Sequence, residues 1–520
     1  MTPSTFAAAR SQARPIPLRP LSIVAALVLA IGLQGTALAS PESDIAAMKK
    51  AIAQMKADYD KRLSAVEDEL HATQAELAKA KAANGSASAP ALAAASAPQP
   101  GSTAAVADGS ALATNQPALA AASAPPAEAA SVDTSAAAPV GGAAGGANAF
   151  NPSISLILSG TYAHTSQDPA NARITGFALP AGAEIGVGSR GFSLAESELA
   201  LAANIDPYLA GNINLAITGD DTISAEEAFI TTTSLPSGLV LKAGRFFSGV
   251  GYLNSQHSHT WDFVDNPLAY QAMLGTQYAD DGVQLHWLAP TDQYMEFGFE
   301  AGRGRSFPGD NSSRNAAGMA AFTFHTGGDI GDSTSWRGGL SVLQASANDQ
   351  ALNDVDTDGN PVVDRFTGHT RVWIADGVLK WAPNGNATRT YFKLQGEYLQ
   401  SRRTGDLSVD GAESGPVSSL HAIQSGAYVQ GVYQFMPMWR VGLRTERLDA
   451  GHVDYGLNSA SLASTNYHPT KNSVMVDFNE SEFARVRLQF AQDRSRQGFI
   501  DNQFLLQYQT SLGAHGAHAY

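Results

Sequence analysis

Cysteine is absent from the 520 residues, which excludes disulfide scaffolds, thiol nucleophiles and cysteine-ligated metals. Basic residues are scarce: 33 Lys and Arg face 48 Asp and Glu, for a formal charge of −15. Phosphate neutralisation needs a basic stripe, so nucleic acid is not an expected partner. Charged residues of both signs make up only 16% of the chain. No apolar run of ~20 residues follows the extreme N-terminus, so helical spans are not expected and any bilayer crossing falls to strands.

What is present begins with a targeting pattern. Arg10, Arg14 and Arg19 precede the apolar run from Leu21 to Leu33, Ala37-Leu38-Ala39 follows, and the first acidic residue is Glu42. A charged start, a short apolar stretch and a small-residue site predict a signal peptide over 1–39, since a membrane anchor needs a longer run. From Ser43, Ile45, Met48, Ile52, Met55 and Tyr59 recur at spacings of three and four, and Leu63, Val66, Leu70 and Leu77 continue the stripe after a stutter. This predicts an α-helical coiled coil over 40–82 that self-associates, most simply as a homotrimer. A lone amphipathic helix lying on a surface is the alternative. Residues 83–149 collapse to Ala, Ser, Pro and Gly and cannot bury a core, which predicts a disordered tether.

From Ile154 the period changes to two. Ile154, Leu156, Leu158, Gly160 and Tyr162 share one face, and Leu199 to Ile205 and Leu209 to Ile217 flank the tight Asp206-Pro207. Alternating runs about a Pro-containing turn make hairpins. Short breaks at 206–207, 236–238, 290–292, 326–335, 383–387, 436–437 and 479–481 alternate with mostly longer, polar ones near 165–191, 219–223, 248–280, 302–315, 346–368, 401–420, 449–470 and 493–500. Residues 150–520 therefore read as an all-β, transmembrane antiparallel β-barrel of about sixteen strands, short turns at one end and long loops at the other. A soluble sandwich also alternates, but ~23 residues per strand matches ~10 spanning residues plus connections. In Trp439 to Arg447 and Ala484 to Phe490, one parity is apolar and the other carries Arg440, Arg444, Glu446, Arg485, Arg487 and Gln489. In a membrane barrel the first set faces lipid and the second the lumen. The last run, Phe504 to Leu512, keeps one parity, and the sequence closes on the aromatic Tyr520.

The stretches GFSLAESELALAANIDPYLAGNINLAI, EEAFITTTSLPSGLVLKAGRFFSGVGYLNSQHSHTWDFVDNPLAYQ and DDGVQLHWLAP, with the ending GAHGAHAY, resemble outer-membrane proteins often labelled zinc-regulated TonB-dependent receptors. The plan of coiled coil, tether and barrel resembles the phosphate-selective porin O/P group. The resemblance implies the outer membrane of a Gram-negative bacterium, with the N-terminal region in the periplasm. Resemblance to trimeric porins further implies that the third long connection, after strand five, folds into the lumen. A TonB-dependent receptor carries a globular plug inside 22 strands; helix, tether and about sixteen strands fit diffusion better.

Several residue groups are candidates for chemistry. The third long connection holds His257, His259 and Asp262, with Asn254 and Asp265 beside aromatics; His-x-His with carboxylates suits Zn²⁺ in the absence of thiolate, and a solvated loop is the alternative. As a constriction this loop would act by size and charge. Arg440, Arg444, Arg485 and Arg487, with Lys242, Arg245, Arg371 and Lys393 as weaker members, could form a pore-lining basic ladder that prefers anions, or ion pairs with Glu397, Glu446 and Asp376. Asp354, Asp356, Asp358 and Gly359 copy half a calcium loop, but Arg365 stands where the bidentate Glu belongs. His515 and His518 could extend a metal patch or sit at the rim. No compact Ser/His/Asp signature appears, so no enzyme is expected, and beyond a possible Zn²⁺ no cofactor. The sequence thus favours a passive channel for small polar or anionic solutes, its partners being outer-membrane lipid and two further copies. A metal-linked receptor and a coiled-coil envelope tether are the alternatives.

Overall fold

The computed structural model describes residues 152–513, apart from 181, 184, 221, 410–415, 463 and 482. The expected signal peptide 1–39, coiled coil 40–82, tether 83–149, and His515, His518 and Tyr520 lie outside the described residues.

Among the described residues, eighteen strands form one antiparallel sheet. In chain order they are β1 (Ser153–Thr165), β2 (Leu179–Pro180), β3 (Gly191–Leu194), β4 (Ser197–Asn204), β5 (Leu209–Ile217), β6 (Ile223–Thr232), β7 (Leu239–Phe247), β8 (Ala279–Leu288), β9 (Tyr294–Gly302), β10 (Met319–Ile330), β11 (Thr334–Val355), β12 (Pro361–Trp381), β13 (Tyr391–Ser408), β14 (Ser418–Met436), β15 (Trp439–Asp454), β16 (Thr470–Ser481), β17 (Ala484–Arg494) and β18 (Asp501–Gly513). β2 and β3 belong to the first long loop. The remaining sixteen close into a barrel as β18 pairs with β1, from Ser155 opposite Gly513 to Thr165 opposite Gln503. Closure leaves no exposed edge, so every strand finds its hydrogen bonds in a neighbour.

Period-two patterning places the side chains as the sequence predicts. Leu443 is 65% exposed and Arg444 3%; Leu488 and Phe490 point out while Arg487 and Gln489 are buried inside. Phe299, Phe322, Leu340, Trp373 and Val429 extend the outward apolar band around the wall. Exposed Trp287, Trp381, Trp439 and Phe483 stand near the short-turn end, the position of an interfacial aromatic girdle. The turns there are compact: Asp206 accepts from the amides of Tyr208 and Leu209 at 2.7 and 2.8 Å, fixing the Asp206-Pro207 reversal.

Three expected long breaks are shorter than the sequence predicts. β11 and β12 run 22 and 21 residues and leave only 356–360 between them, and β13 to β15 reach 18, 19 and 16. Polar composition suggested loops, but the ladders continue because their inner faces have a core to cover. Leu352, Phe366, Leu407, Leu420 and Leu448 pack inward against Ile174, Phe177 and Leu179 of the first long loop and against the short helix α1 (Leu268–Leu274). That first loop crosses the mouth: it leaves β1, and its β2 pairs with β11, on the far side of the barrel. The interior therefore holds an apolar cluster under the crossing loop, with Asp364 and Arg403 buried beside it, and charged inward positions along β13, β15, β16 and β17.

Leu443→Arg places a charge near the middle of the apolar band. It is expected to cost about 2–4 kcal/mol of folding free energy in lipid vesicles. Urea titration of the refolded barrel checks this; a loss below about 1 kcal/mol would take Leu443 off the lipid face.

Candidate functional site

The loop 248–278 between β7 and β8, called L3 below, folds into the barrel. Pro267 precedes α1, which needs no amide donor there, and Gly275 closes the helix in the left-handed region at φ 63°. All seven residues of α1 are buried. The wall satisfies the loop's backbone from many strands. Glu397 of β13 accepts from the amides of Tyr252 and Leu253, both at 3.0 Å, and from the Tyr270 hydroxyl at 2.7 Å. Glu446 of β15 accepts from the Leu268 amide at 2.6 Å, and Glu300 of β9 from the Gly249 amide at 2.8 Å. Gly251, at φ 71°, lies so close to Glu397 and Tyr270 that a Cβ would collide with both.

The loop's own carboxylates answer the basic wall. Asp265 meets Lys471 Nζ at 2.5 Å, Arg444 Nη2 at 2.8 Å and Gln489 Nε2 at 2.7 Å. Asp262 meets Lys393 Nζ at 2.5 Å and Arg440 Nη1 at 3.3 Å. Arg444 also reaches Glu446 at 2.7 Å, and Asp477 holds both Arg487, at 2.7 Å, and Arg440. Arg487 and Arg485 additionally donate to the Trp261 and His259 carbonyls, each at 2.8 Å. Burial alone would raise both aspartates, but for Asp262 the charges of Lys393 and Arg440, and for Asp265 those of Lys471 and Arg444, outweigh it and hold the carboxyls below their ordinary range.

Arg440, Arg444, Arg485 and Arg487 thus converge on one inner wall, with Lys393. Three of the four are ion-paired, and the hydrogen bonds of Arg485 go to neutral oxygens, the second being Gln509 Oε1 at 2.7 Å. Lys242 also points inward. Arg245 and Arg371 do not join the ladder. Arg245 shares the parity of exposed Leu241 and pairs with Asp281 at 2.6 Å; Arg371 is on the outer face, bonded to Gln344 at 2.6 Å. Of the carboxylates expected to pair with the ladder, Glu446 does so, Glu397 serves L3, and the Asp376 carboxylate accepts no hydrogen bond from the described residues.

The expected His257, His259 and Asp262 set separates. Asp262 turns to Lys393, while His257 and His259, ring centroids 5.6 Å apart, face Glu198, Glu226 and Glu227 on β4 and β6. Those glutamates were missed by sequence reasoning, although the consecutive pair at 226 and 227 in an alternating strand is itself a signal. The half calcium loop is the β11–β12 turn: Asp356 accepts from the amides of Asp358 and Asn360 at 2.9 and 2.7 Å, an ordinary Asx turn.

No family model matches the chain. An uncharacterized protein of Aquifex aeolicus (strain VF5) is 31% identical over 400 residues, which cover 72% of this chain and 80% of the relative. Among solved structures, an anion-selective porin from Comamonas acidovorans is similar at TM-score 0.45 and 10% identity over 70% of this chain and all of its own. OprB of Pseudomonas putida is similar at 0.44 and 12%, over 70% and 94%. OmpT of Vibrio cholerae lacking loop L8 is similar at 0.43 and 10%, over 70% and 100%.

Asp265→Asn leaves Lys471 and Arg444 buried without their common partner. A loss of about 3–5 kcal/mol is expected, together with faster hydrogen exchange of L3 amides. The carboxyl shifts give a pH dependence. A depressed folded value means the clamp is complete above the ordinary Asp value of ~3.9 and is lost as pH falls further, through the folded values. Exchange of the L3 amides around Asp262 and Asp265, after correction for intrinsic rates, should therefore rise below about pH 4; loosening of these amides on alkalinisation instead would contradict the assignment.

Proposed function

The chain belongs to one family with the Aquifex aeolicus protein, and from that premise we propose that it is a porin-like channel of a Gram-negative outer membrane. Small polar or anionic solutes pass through it by passive diffusion. The observation that carries this reading is the barrel's inverted polarity: sixteen closed strands with an apolar band and aromatic girdle outside and buried charges inside. Such a surface is solvated by hydrocarbon, and only a closed barrel satisfies its backbone there. The covered mouth and the inserted L3 make the path narrow, so unit conductance is small for a barrel of this strand number. Export by the N-terminal segment and trimer formation through 40–82 belong to the same proposal.

Selectivity is read most directly at Arg485, the ladder member whose hydrogen bonds go to neutral oxygens. Purified protein in a planar bilayer should give stepwise openings, with a reversal potential under a salt gradient on the anion side. Arg485→Gln should move that potential toward cations. A silent bilayer with correctly folded barrels would overturn the channel; an unmoved potential would overturn anion preference.

A further inference from the structure

Where L3 meets β4 and β6, three carboxylates gather about His257 and His259, with Lys242 of β7 as a neighbouring cation. Strand β6 carries a β-bulge. Its pairing with β5 steps from Asn214 opposite Glu227 to Leu215 opposite Ala225, so Glu226 is the extra residue. Strict alternation would send one of two consecutive glutamates to the outer face. The bulge turns both inward, the use to which bulges are put near functional sites. Glu198 of β4 joins them, and all three carboxylates converge on the single imidazole of His257, which L3 inserts between them.

The distances match the spacing of a ligand set. His257 Nδ1 lies 3.2 Å from Glu198 Oε2 and 3.3 Å from Glu226 Oε2. One N–H cannot serve both well, and charge-assisted hydrogen bonds are shorter, ~2.7–2.9 Å. Donors at ~2.0–2.1 Å from a tetrahedral ion, by contrast, stand ~3.3 Å apart. One ligand atom from each of Glu198, Glu226 and His257 lies within 4.8 Å of the other two.

The surroundings supply what metal ligands require. The other ring nitrogen, His257 Nε2, lies 2.9 Å from Asn214 Nδ2 and 3.1 Å from Glu227 Oε2, and Glu227 is itself fixed by the Phe247 amide at 3.0 Å. His259 Nδ1 meets the free oxygen of Glu198 at 2.7 Å and so orients that carboxylate. A carboxylate behind the histidine and a partner behind the ligating carboxylate are the outer-shell supports that set tautomer and direction at metal centres.

We propose that Glu198, Glu226 and His257 bind a divalent cation of the Zn²⁺ class, oriented by Glu227 and His259, which ties L3 to strands β4 and β6. One imidazole and two carboxylates leave a fourth position for water, and this nitrogen and oxygen set suits a borderline first-row ion over Ca²⁺ or Mg²⁺. The site is separate from the Asp262 and Asp265 clamp and does not depend on conduction, so a silent bilayer would leave it standing.

The test uses the full mature chain, purified in detergent, stripped with chelator and titrated with Zn²⁺ alone. One tightly bound ion per chain is expected, unaffected by His515→Ala with His518→Ala. Glu226→Gln and His257→Gln should each weaken binding more than about 100-fold, and Glu227→Gln by about 10- to 100-fold. Should a variant fail to fold, Co²⁺ titrated into the unaltered protein gives an independent reading, the intense visible absorption of a four-coordinate nitrogen and oxygen site. Absence of both bound Zn²⁺ and that absorption would overturn the proposal, as would unchanged affinity in folded Glu226→Gln; the cluster would then be a protonated histidine among carboxylates.

Discussion

Asp265 sits on L3 with Lys471, Arg444 and Gln489 closed around it, and the organisation of the barrel interior follows from that contact. Two buried cations on neighbouring strands β15 and β16 have wall partners in Glu446 and Asp493, but the counter-charge they hold in common at shortest range is Asp265. The loop brings it, with Asp262 doing the same for Lys393 and Arg440. Taking such charges out of water costs several kcal/mol per ion, recovered only when hydrogen bonding is complete. L3 is thereby committed to one place in the lumen, and α1 is delivered to the apolar pocket above.

The division of the interior explains why the long strands reach beyond the band of lipid contact. Along β13, β15, β16 and β17 the inward positions carry charge and meet L3. Farther out, Leu352, Phe366, Leu420 and Leu448 present an apolar inner face, covered by α1 and by the first loop as it crosses to β11. This arrangement makes a barrel with its own hydrophobic core at one end. Solutes then meet a packed mouth and a loop held by ion pairs, and any passage is set by small displacements of those parts.

Much of the barrel was legible because period two is a local property. The faces of Trp439 to Arg447 and Ala484 to Phe490, the Asp206-Pro207 turn and the inward third loop all follow from alternation, turn chemistry and family resemblance. The extended hairpins were not legible: residues 346–368 and 401–420 are polar on one face, and the core that keeps them paired is supplied by segments far away in sequence. Arg371 and Arg245 were misplaced for a related reason, since a charged residue near the outer rim can face water without entering the lumen. The histidines of L3 were found, but their partners were not, because Glu198 and Glu226 are joined to them only by loop insertion and by a bulge that a strict alternation rule skips.

The central claim is that the inner charges anchor L3 and are not a free basic lining. A double-mutant cycle between Asp265→Asn and Lys471→Met, measured by urea unfolding in lipid vesicles, tests it most directly. The account predicts that the two losses fail to add, with a coupling of about 1–3 kcal/mol. Additivity within about 0.5 kcal/mol would contradict it, showing that the loop stays in the lumen for other reasons.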